Sequence, residues 1–136
     1  MTQEDKDLLL KDLCARIPYG VKIFYSTTVP IAELKTINTE KGICIAYDCS
    51  QWYRHSKWHI ENIKPYLRSM SSMTEEEEEE FVSFTDTMFR YGKDNNLCCF
   101  PLDAIDWLNK NHFDYRGLIE KGLALEAPEG MYNIKE

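Results

Sequence analysis

Four side chains that could ligate a metal lie close together in the chain: Cys44, Cys49, His55 and His59. Thiolate and imidazole are the ligands that tetrahedral zinc prefers, and the spacing of the two histidines is common in zinc sites. The spacer between Cys49 and His55, however, is much shorter than that of a zinc finger. If residues 43–49 form a strand, the two cysteines also fall on opposite faces of a sheet. We therefore expect buried cysteines, surface histidines and no bound metal or other cofactor.

A second set of residues could support nucleophilic catalysis. Cys98 and Cys99 supply thiols, and His112 could act as their base, but the three residues lie in separate segments. The sequence contains no nucleophile elbow, phosphate-binding loop or HExxH motif. We therefore expect that the chain is not an enzyme, and an enzyme that uses a Cys/His pair is the weakest of three functional hypotheses.

The aromatic-basic segment, residues 52–68, alternates large aromatic side chains with cations. Aromatic rings can stack on bases while cations follow phosphates, as in surfaces that bind single-stranded nucleic acid. A strand pair with its aromatic residues in the core is the alternative, and the net charge of −7 favours it. The candidate binding surface consists of Trp52, Tyr53, Arg54, Lys57, Trp58, Lys64 and Arg68.

Six consecutive glutamates, residues 75–80, form the most unusual stretch of the chain. Thr74 and Glu77 have the spacing of a capping box, in which each side chain satisfies a backbone amide at a helix start. An apolar stripe follows at helical spacing and ends before Gly92: Phe81, Phe84, Met88 and Tyr91. The pattern predicts a helix beginning within a residue or two of Thr74. Its acids are typical of a solvated helix face, and an acidic docking surface is the functional alternative.

The surrounding elements follow from periodicity and from helix stop signals. Thr2 and the acids after it predict a first helix over residues 3–16, which Pro18 and Gly20 end. Residues rich in β-branched and aromatic types predict strands near 21–29, 31–37, 42–48 and 56–63. Another helix should run from Pro101 to about Asn111, followed by a short helix or turn near 114–121 and a loop pinned by Met131 and Tyr132.

These elements predict an α+β fold. We expect a small antiparallel sheet or an SH3-like partial barrel, at about residues 20–62, covered by the N-terminal helix and two or three C-terminal helices. The length of 136 residues fits a single domain over residues 1–136.

Composition sets limits on compartment and partners. The sequence lacks both the pattern of a signal peptide and the roughly 20 apolar residues of a membrane span, so we expect a cytoplasmic protein without a membrane partner. Its cysteines should then be thiols: Cys14, Cys44, Cys49, Cys98 and Cys99. The net charge of −7 also argues against double-stranded DNA as a partner.

Three stretches resemble a family of small uncharacterised proteins of gut Bacteroides-type bacteria and their phage-like or mobile elements. They are LLLKDLCARIPYGVK, IKPYLRSMSSMTEEE and DWLNKNHFDYRGLIEKGLALEAPEGMY, although Ser69 stands where a proline is expected in such relatives. The resemblance covers roughly half the chain and implies a shared scaffold with a variable sheet region, without an activity or a catalytic residue.

The leading hypothesis is therefore a non-catalytic cytoplasmic interaction module, an accessory protein of a phage or mobile element with an acidic protein-binding face. An unknown protein is the expected partner. Binding of single-stranded nucleic acid through the aromatic-basic segment is the second hypothesis.

Overall fold

The computed structural model describes residues 1–24, 31–41, 43–48, 51–84 and 102–132, of which 43–48 and 51–58 are described in their backbone alone. Within these residues the fold is α+β, as predicted. Helices pack against a sheet whose strands run in the order β4-β3-β2-β1-β5-β6.

The first helix, α1, spans Gln3–Arg16, the range that the sequence predicts. The Thr2 hydroxyl accepts a hydrogen bond from the Asp5 amide at 3.0 Å and so satisfies one of the unpaired donors at the helix start. A 3-10 turn, Ile17–Tyr19, follows and ends at Gly20, whose φ of 72° lies in the left-handed region that favours glycine. The chain then turns directly into the sheet.

The sheet joins residues from both ends of the chain. Its strands are β1 (Lys22–Phe24), β2 (Ala32–Asn38), β3 (Ile43–Asp48), β4 (Gln51–His59), β5 (Lys64–Leu67) and β6 (Leu125–Glu126). All neighbours are antiparallel except β5 and β6, which pair in parallel. The sequence predicts the first four strands in outline, but not β5 or β6. Within the described residues the strand order is open, with β4 and β6 at the two edges.

Two more helices contribute to a second group of packed apolar side chains. Residues 75–84 are helical and form the described part of α2, and Leu102–Lys110 form α3. The predicted contributions of Met88, Tyr91 and Pro101 lie outside the described residues. Residues 114–121 form the expected turn, in which the Asp114 carboxylate accepts hydrogen bonds from two backbone amides, 2.8 and 2.9 Å away.

The core consists of two clusters of buried side chains. The larger one lies between α1 and the sheet and includes Leu9, Leu13, Ile23 and Leu34. The smaller one is built on Trp107, Leu108 and Phe113, against which α2 packs. The second cluster therefore fixes the position of the glutamate-rich helix.

Candidate functional site

The start of α2 has the capping box that the sequence predicts. The Thr74 hydroxyl accepts from the Glu77 amide at 3.1 Å, and the Glu77 carboxylate accepts from the Thr74 amide at 3.0 Å. These reciprocal bonds satisfy two backbone donors at the helix N-terminus. The prediction of a helix start at Thr74 is thereby confirmed.

Glu77 also forms a second, stronger contact. Arg68 donates two hydrogen bonds to its carboxylate, at 2.8 and 2.7 Å, and the guanidinium carbon lies 4.2 Å from the centre of the Phe113 ring. The Arg68 guanidinium, followed by the cap bonds from Thr74, holds the pKa of Glu77 below its usual value. One of the six glutamates thus anchors α2 to the rest of the fold.

The remaining five glutamates, residues 75, 76 and 78–80, are exposed. The opposite side of α2 is apolar: Phe81 and Phe84 contact Trp107, with ring centres 5.8 and 6.4 Å apart. The helix is therefore oriented by its aromatic side, and its acidic side faces outward. We call the exposed residues 75, 76 and 78–80 the acidic face.

A cleft of about 500 Å³ lies beside the start of α2. Glu126 and Glu129 line it together with Arg68 and Glu77, and Ser69 donates a hydrogen bond to Glu126 at 3.1 Å. Since Arg68 is already paired with Glu77, the two other carboxylates give the cleft a negative balance. The cleft thus extends the charge of the acidic face towards residues 127–132, which we call the C-terminal segment.

The aromatic-basic segment is divided between different environments. Trp52, Tyr53, Arg54, Lys57 and Trp58 lie on the edge strand β4, and their side chains are outside the described part of the structure. Lys64 is exposed on β5, whereas Arg68 is held by Glu77 and Phe113. Arg68 is therefore not free to contact a phosphate. That the β4 residues bind nucleic acid remains a prediction.

The candidate cysteine and histidine sites are described only in part. Cys49, Cys98 and Cys99 lie outside the described residues, and Cys44 and His55 are described in their backbone alone. His59 is exposed and lines a surface cleft that contains no cysteine among its described residues. No cluster of three or more His, Cys, Asp or Glu that could hold a metal occurs among the side chains that the structure describes. Cys14 is a free, exposed thiol.

His112 has surroundings that sequence patterns did not indicate. It follows α3 with a φ of 61°, in the left-handed region, and only 2% of its surface is exposed. Nε2 lies 3.1 Å from the Tyr19 carbonyl oxygen, and Nδ1 is buried without a hydrogen-bond partner among the described residues. Burial, aided by the positive charge of Arg16, lowers the pKa of His112 to about 3. The imidazole is therefore neutral at physiological pH.

Tyr132 covers the His112 ring. The two rings stack with centres 3.8 Å apart, and the Tyr132 hydroxyl donates to the Tyr66 carbonyl at 2.8 Å while it accepts from the Lys22 amide at 2.9 Å. The C-terminal segment is thus pinned to β1 and β5 by one side chain, as the sequence predicts for Tyr132 in outline.

A second cavity, of about 380 Å³, opens beside this stack. Its lining includes two lysines, Lys22 and Lys110, and none of its described lining residues carries a carboxylate. The cavity is therefore positive in a chain whose net charge is −7. We call it the His112 cavity; its lining is Pro18, Tyr19, Lys22, Lys110, His112, Met131 and Tyr132.

Among the described residues, no helix is long and apolar enough to cross a bilayer. Comparison of the chain with protein-family models, curated proteins and solved structures finds no match in any of the three.

Proposed function

We propose that the chain is a non-catalytic protein-binding module that docks onto a basic partner through the acidic face of α2. The observation that carries the proposal is that the six glutamates differ in what they contribute to the fold. Glu77 alone closes the capping box and pairs with Arg68, whereas residues 78–80 add three exposed charges beyond the first turn. Folding of α2 accounts for Glu77 but leaves these charges without a structural role.

The energetics of the helix support this argument. Acids are favoured by the helix dipole only in the first turn, at about 0.3 to 1 kcal/mol each. The i, i+4 pairs Glu75/Glu79 and Glu76/Glu80 carry like charges and oppose helix formation by a few tenths of a kcal/mol per pair. A surface that weakens its own helix is consistent with selection for binding, because concentrated charge speeds and orients association with an oppositely charged partner.

The biological setting of this proposal rests on the sequence. Composition favours a cytoplasmic protein, and the family resemblance suggests an accessory protein of a phage or mobile element. In its most specific form, the proposal is that the acidic face imitates the phosphates of a nucleic acid and occupies a host protein. The negative cleft beside Glu126 and Glu129 supports that version, because it continues the charge beyond α2.

A charge-matched comparison tests the proposal. The triple variant Glu78→Gln, Glu79→Gln, Glu80→Gln removes three charges from the acidic face, and Glu4→Gln, Glu40→Gln, Glu120→Gln removes three exposed charges elsewhere. Binding of a fluorescent Lys/Arg-rich peptide is measured by anisotropy at low and moderate salt. We expect the first variant to bind at least about tenfold more weakly and to show a smaller salt dependence, while the control keeps most of its affinity. Equal weakening of both variants would show that only net charge matters and would contradict the proposal.

Binding of single-stranded nucleic acid is the second candidate, and the position of β4 at the edge of the sheet favours it. An edge strand leaves one side of the strand uncovered by other strands. Titration of labelled single-stranded oligonucleotides at low salt is the test. Trp58→Ala should weaken stacking, and Arg54→Ala should chiefly reduce the salt dependence. Absence of binding at low salt would eliminate this candidate.

A further inference from the structure

Strand β4 has a partner strand on one side only in the part of the chain that the structure describes. It pairs with β3, and no described strand lies on its other side. The pairing is regular from His55 to His59, whereas a register shift between Tyr47 and Asp48 of β3 interrupts it before His55. We call residues 55–59 the β4 edge.

The direction of the backbone groups in the sheet follows from the strand register. Successive residues of a strand point their N–H and C=O groups to opposite sides in the plane of the sheet. The Leu34 amide donates to the Val21 carbonyl at 3.0 Å, so the backbone groups of Leu34 face β1. Those of the preceding Glu33 must face β3, where Glu33 is paired with Tyr47. The backbone groups of Tyr47 therefore face β2 rather than β4.

The same alternation identifies the outward groups of the β4 edge. Tyr47 lies opposite His55 in a pair without hydrogen bonds, so the backbone groups of His55 face away from β3. Lys57 and His59 follow at intervals of two residues and have the same direction, whereas the residues between them bond to β3. The β4 edge thus presents outward amides at His55, Lys57 and His59, and outward carbonyls at His55 and Lys57.

The opposite edge of the sheet is protected by its length. β6 has only two residues, and native proteins commonly use such short edge strands to prevent pairing with other chains. β4 has nine residues and lacks this protection. Among the described strands, β4 is therefore the edge that is long enough to accept another strand.

The hydrogen-bonding groups of the β4 edge favour a peptide as the partner. Outward amides require acceptors and outward carbonyls require donors, at the spacing of a β-strand. The phosphodiester oxygens of a nucleic-acid backbone only accept hydrogen bonds, so they match the amides and leave the carbonyls without donors. An extended peptide supplies both kinds of group in the correct order, as in other proteins that bind a peptide by adding a strand to a sheet.

The charge of the two outer strands indicates the charge of that peptide. Residues 43–59 contain two cations, Arg54 and Lys57, and a single acid, Asp48. Cations on an edge strand oppose its pairing with the same strand of a second copy, because like charges would lie across from each other. They attract an acidic strand. We propose that the β4 edge binds an extended acidic segment of another protein, which adds a strand to the sheet beside β4. This site uses no residue of the acidic face, and the inference does not depend on the proposed binding of a basic partner.

A pair of labelled peptides tests the choice of partner. One peptide, of about nine residues, alternates threonine with glutamate, and the other alternates threonine with glutamine, so both favour a strand and only the first is charged. Fluorescence anisotropy measures binding. We expect the acidic peptide to bind at least about tenfold more tightly than the uncharged one. Equal binding of the two peptides, or no binding of the acidic one, would overturn the proposal.

Amide hydrogen exchange, followed by NMR, tests the geometry. In the free protein the amides of His55, Lys57 and His59 should exchange rapidly, and those of Ser56 and Trp58 slowly. Saturating acidic peptide should slow exchange at the first three by about tenfold or more. Protection of these amides before peptide is added would show that the edge is already covered by the chain itself or by a second copy. That result, or exchange that is unchanged at saturation, would overturn the proposal.

A matched pair of variants at His55 tests the role of the backbone. His55→Pro and His55→Thr both place an uncharged side chain at this position, but only proline removes the outward amide. The bonds between β3 and β4 stay intact, because this amide faces away from β3. We expect His55→Pro to bind the acidic peptide about tenfold or more weakly than His55→Thr, with circular dichroism as the check that both fold. Equal affinity of the two variants would overturn the proposal. So would protection of the outward amides by oligothymidylate and not by the acidic peptide, because it would assign the β4 edge to single-stranded nucleic acid.

Discussion

Asp12 and Arg16 form an ion pair within α1 from which water is excluded. Both side chains have no exposed surface, and their two hydrogen bonds measure 2.8 and 3.1 Å. Arg16 also donates to the Phe113 carbonyl at 2.6 Å, and Arg116 donates to the Asp12 carboxylate at 3.1 Å. The pair therefore joins the first helix to the turn after α3.

Replacing Asp12 by alanine should destabilise the fold by about 3 to 5 kcal/mol, because Arg16 would keep a buried charge without its counter-ion. Urea denaturation measures the change. Glu61→Gln is the control: Glu61 pairs with Lys6 at the surface, where water screens the charges, and its loss should change stability little. Similar effects of the two substitutions would contradict the assignment of Asp12 as a structural carboxylate.

Thr74→Ala should cost about 0.5 to 2 kcal/mol, since it removes the oxygen that accepts from the Glu77 amide. The double variant Glu79→Gln, Glu80→Gln should leave stability nearly unchanged or slightly higher, because it relieves like-charge repulsion. Thermal and urea unfolding of both proteins measure the difference. A larger loss in the double variant than in Thr74→Ala would mean that the later glutamates support the fold.

His112 should make the protein sensitive to mild acid. Its pKa is about 3 in the fold and near 6.5 in the unfolded chain, so below pH 6.5 the unfolded state binds a proton that the folded state does not. Stability should fall as the pH drops from about 6.5 towards 3, and by about 1 to 2 kcal/mol between pH 7 and 5.

His112→Asn is the control for this pH effect, because asparagine tolerates the left-handed backbone and does not titrate. Urea unfolding at pH 7 and pH 5 compares the two proteins. Glu77 has a lowered pKa and loses its stabilising charge only at lower pH, so its contribution lies outside this window. An equal pH dependence in the variant would show that His112 is protonated in the fold.

Tyr132→Phe should destabilise the protein by about 1 to 3 kcal/mol. The substitution keeps the ring that stacks on His112 but removes the hydroxyl that accepts from the Lys22 amide and donates to the Tyr66 carbonyl. Limited proteolysis should also cut the C-terminal segment faster. The more exposed Tyr19→Phe keeps its backbone contact with His112 and serves as the control, with little expected change in either measurement.

Local signals explain which elements the sequence predicted. Both α1 and α2 begin at a threonine whose hydroxyl accepts from the backbone amide three residues later. Because this spacing is local, Thr2 and Thr74 indicated the two helix starts in the sequence. By contrast, β5 is short and contains Pro65, and its parallel partner β6 follows far along the chain. Pairing of this kind is set by tertiary contacts, which periodicity does not record.

The His112 cavity could not have been predicted for the same reason. Its residues come from the turn after α1, from β1, from the end of α3 and from the C-terminal segment. The sequence marked His112 only as a base for Cys98 or Cys99, which lie outside the described residues. The interpretation of the aromatic-basic segment as a binding surface stays a prediction, apart from Arg68, whose pairing with Glu77 is now described.

The position of β5 between β1 and β6 has a consequence for how the chain folds. Its first residues pair with β1, its last residues pair with β6, and Arg68 beyond it bridges to Phe113. During synthesis, an emerging β1–β5 pair would therefore keep one strand edge open until residues 125–126 arrive. Closing so long a loop is costly in chain entropy, and contacts of high sequence separation slow folding. Completion of the sheet should thus be a late event that follows synthesis of residues 125–126, and until then the open edge of β5 is exposed to other chains.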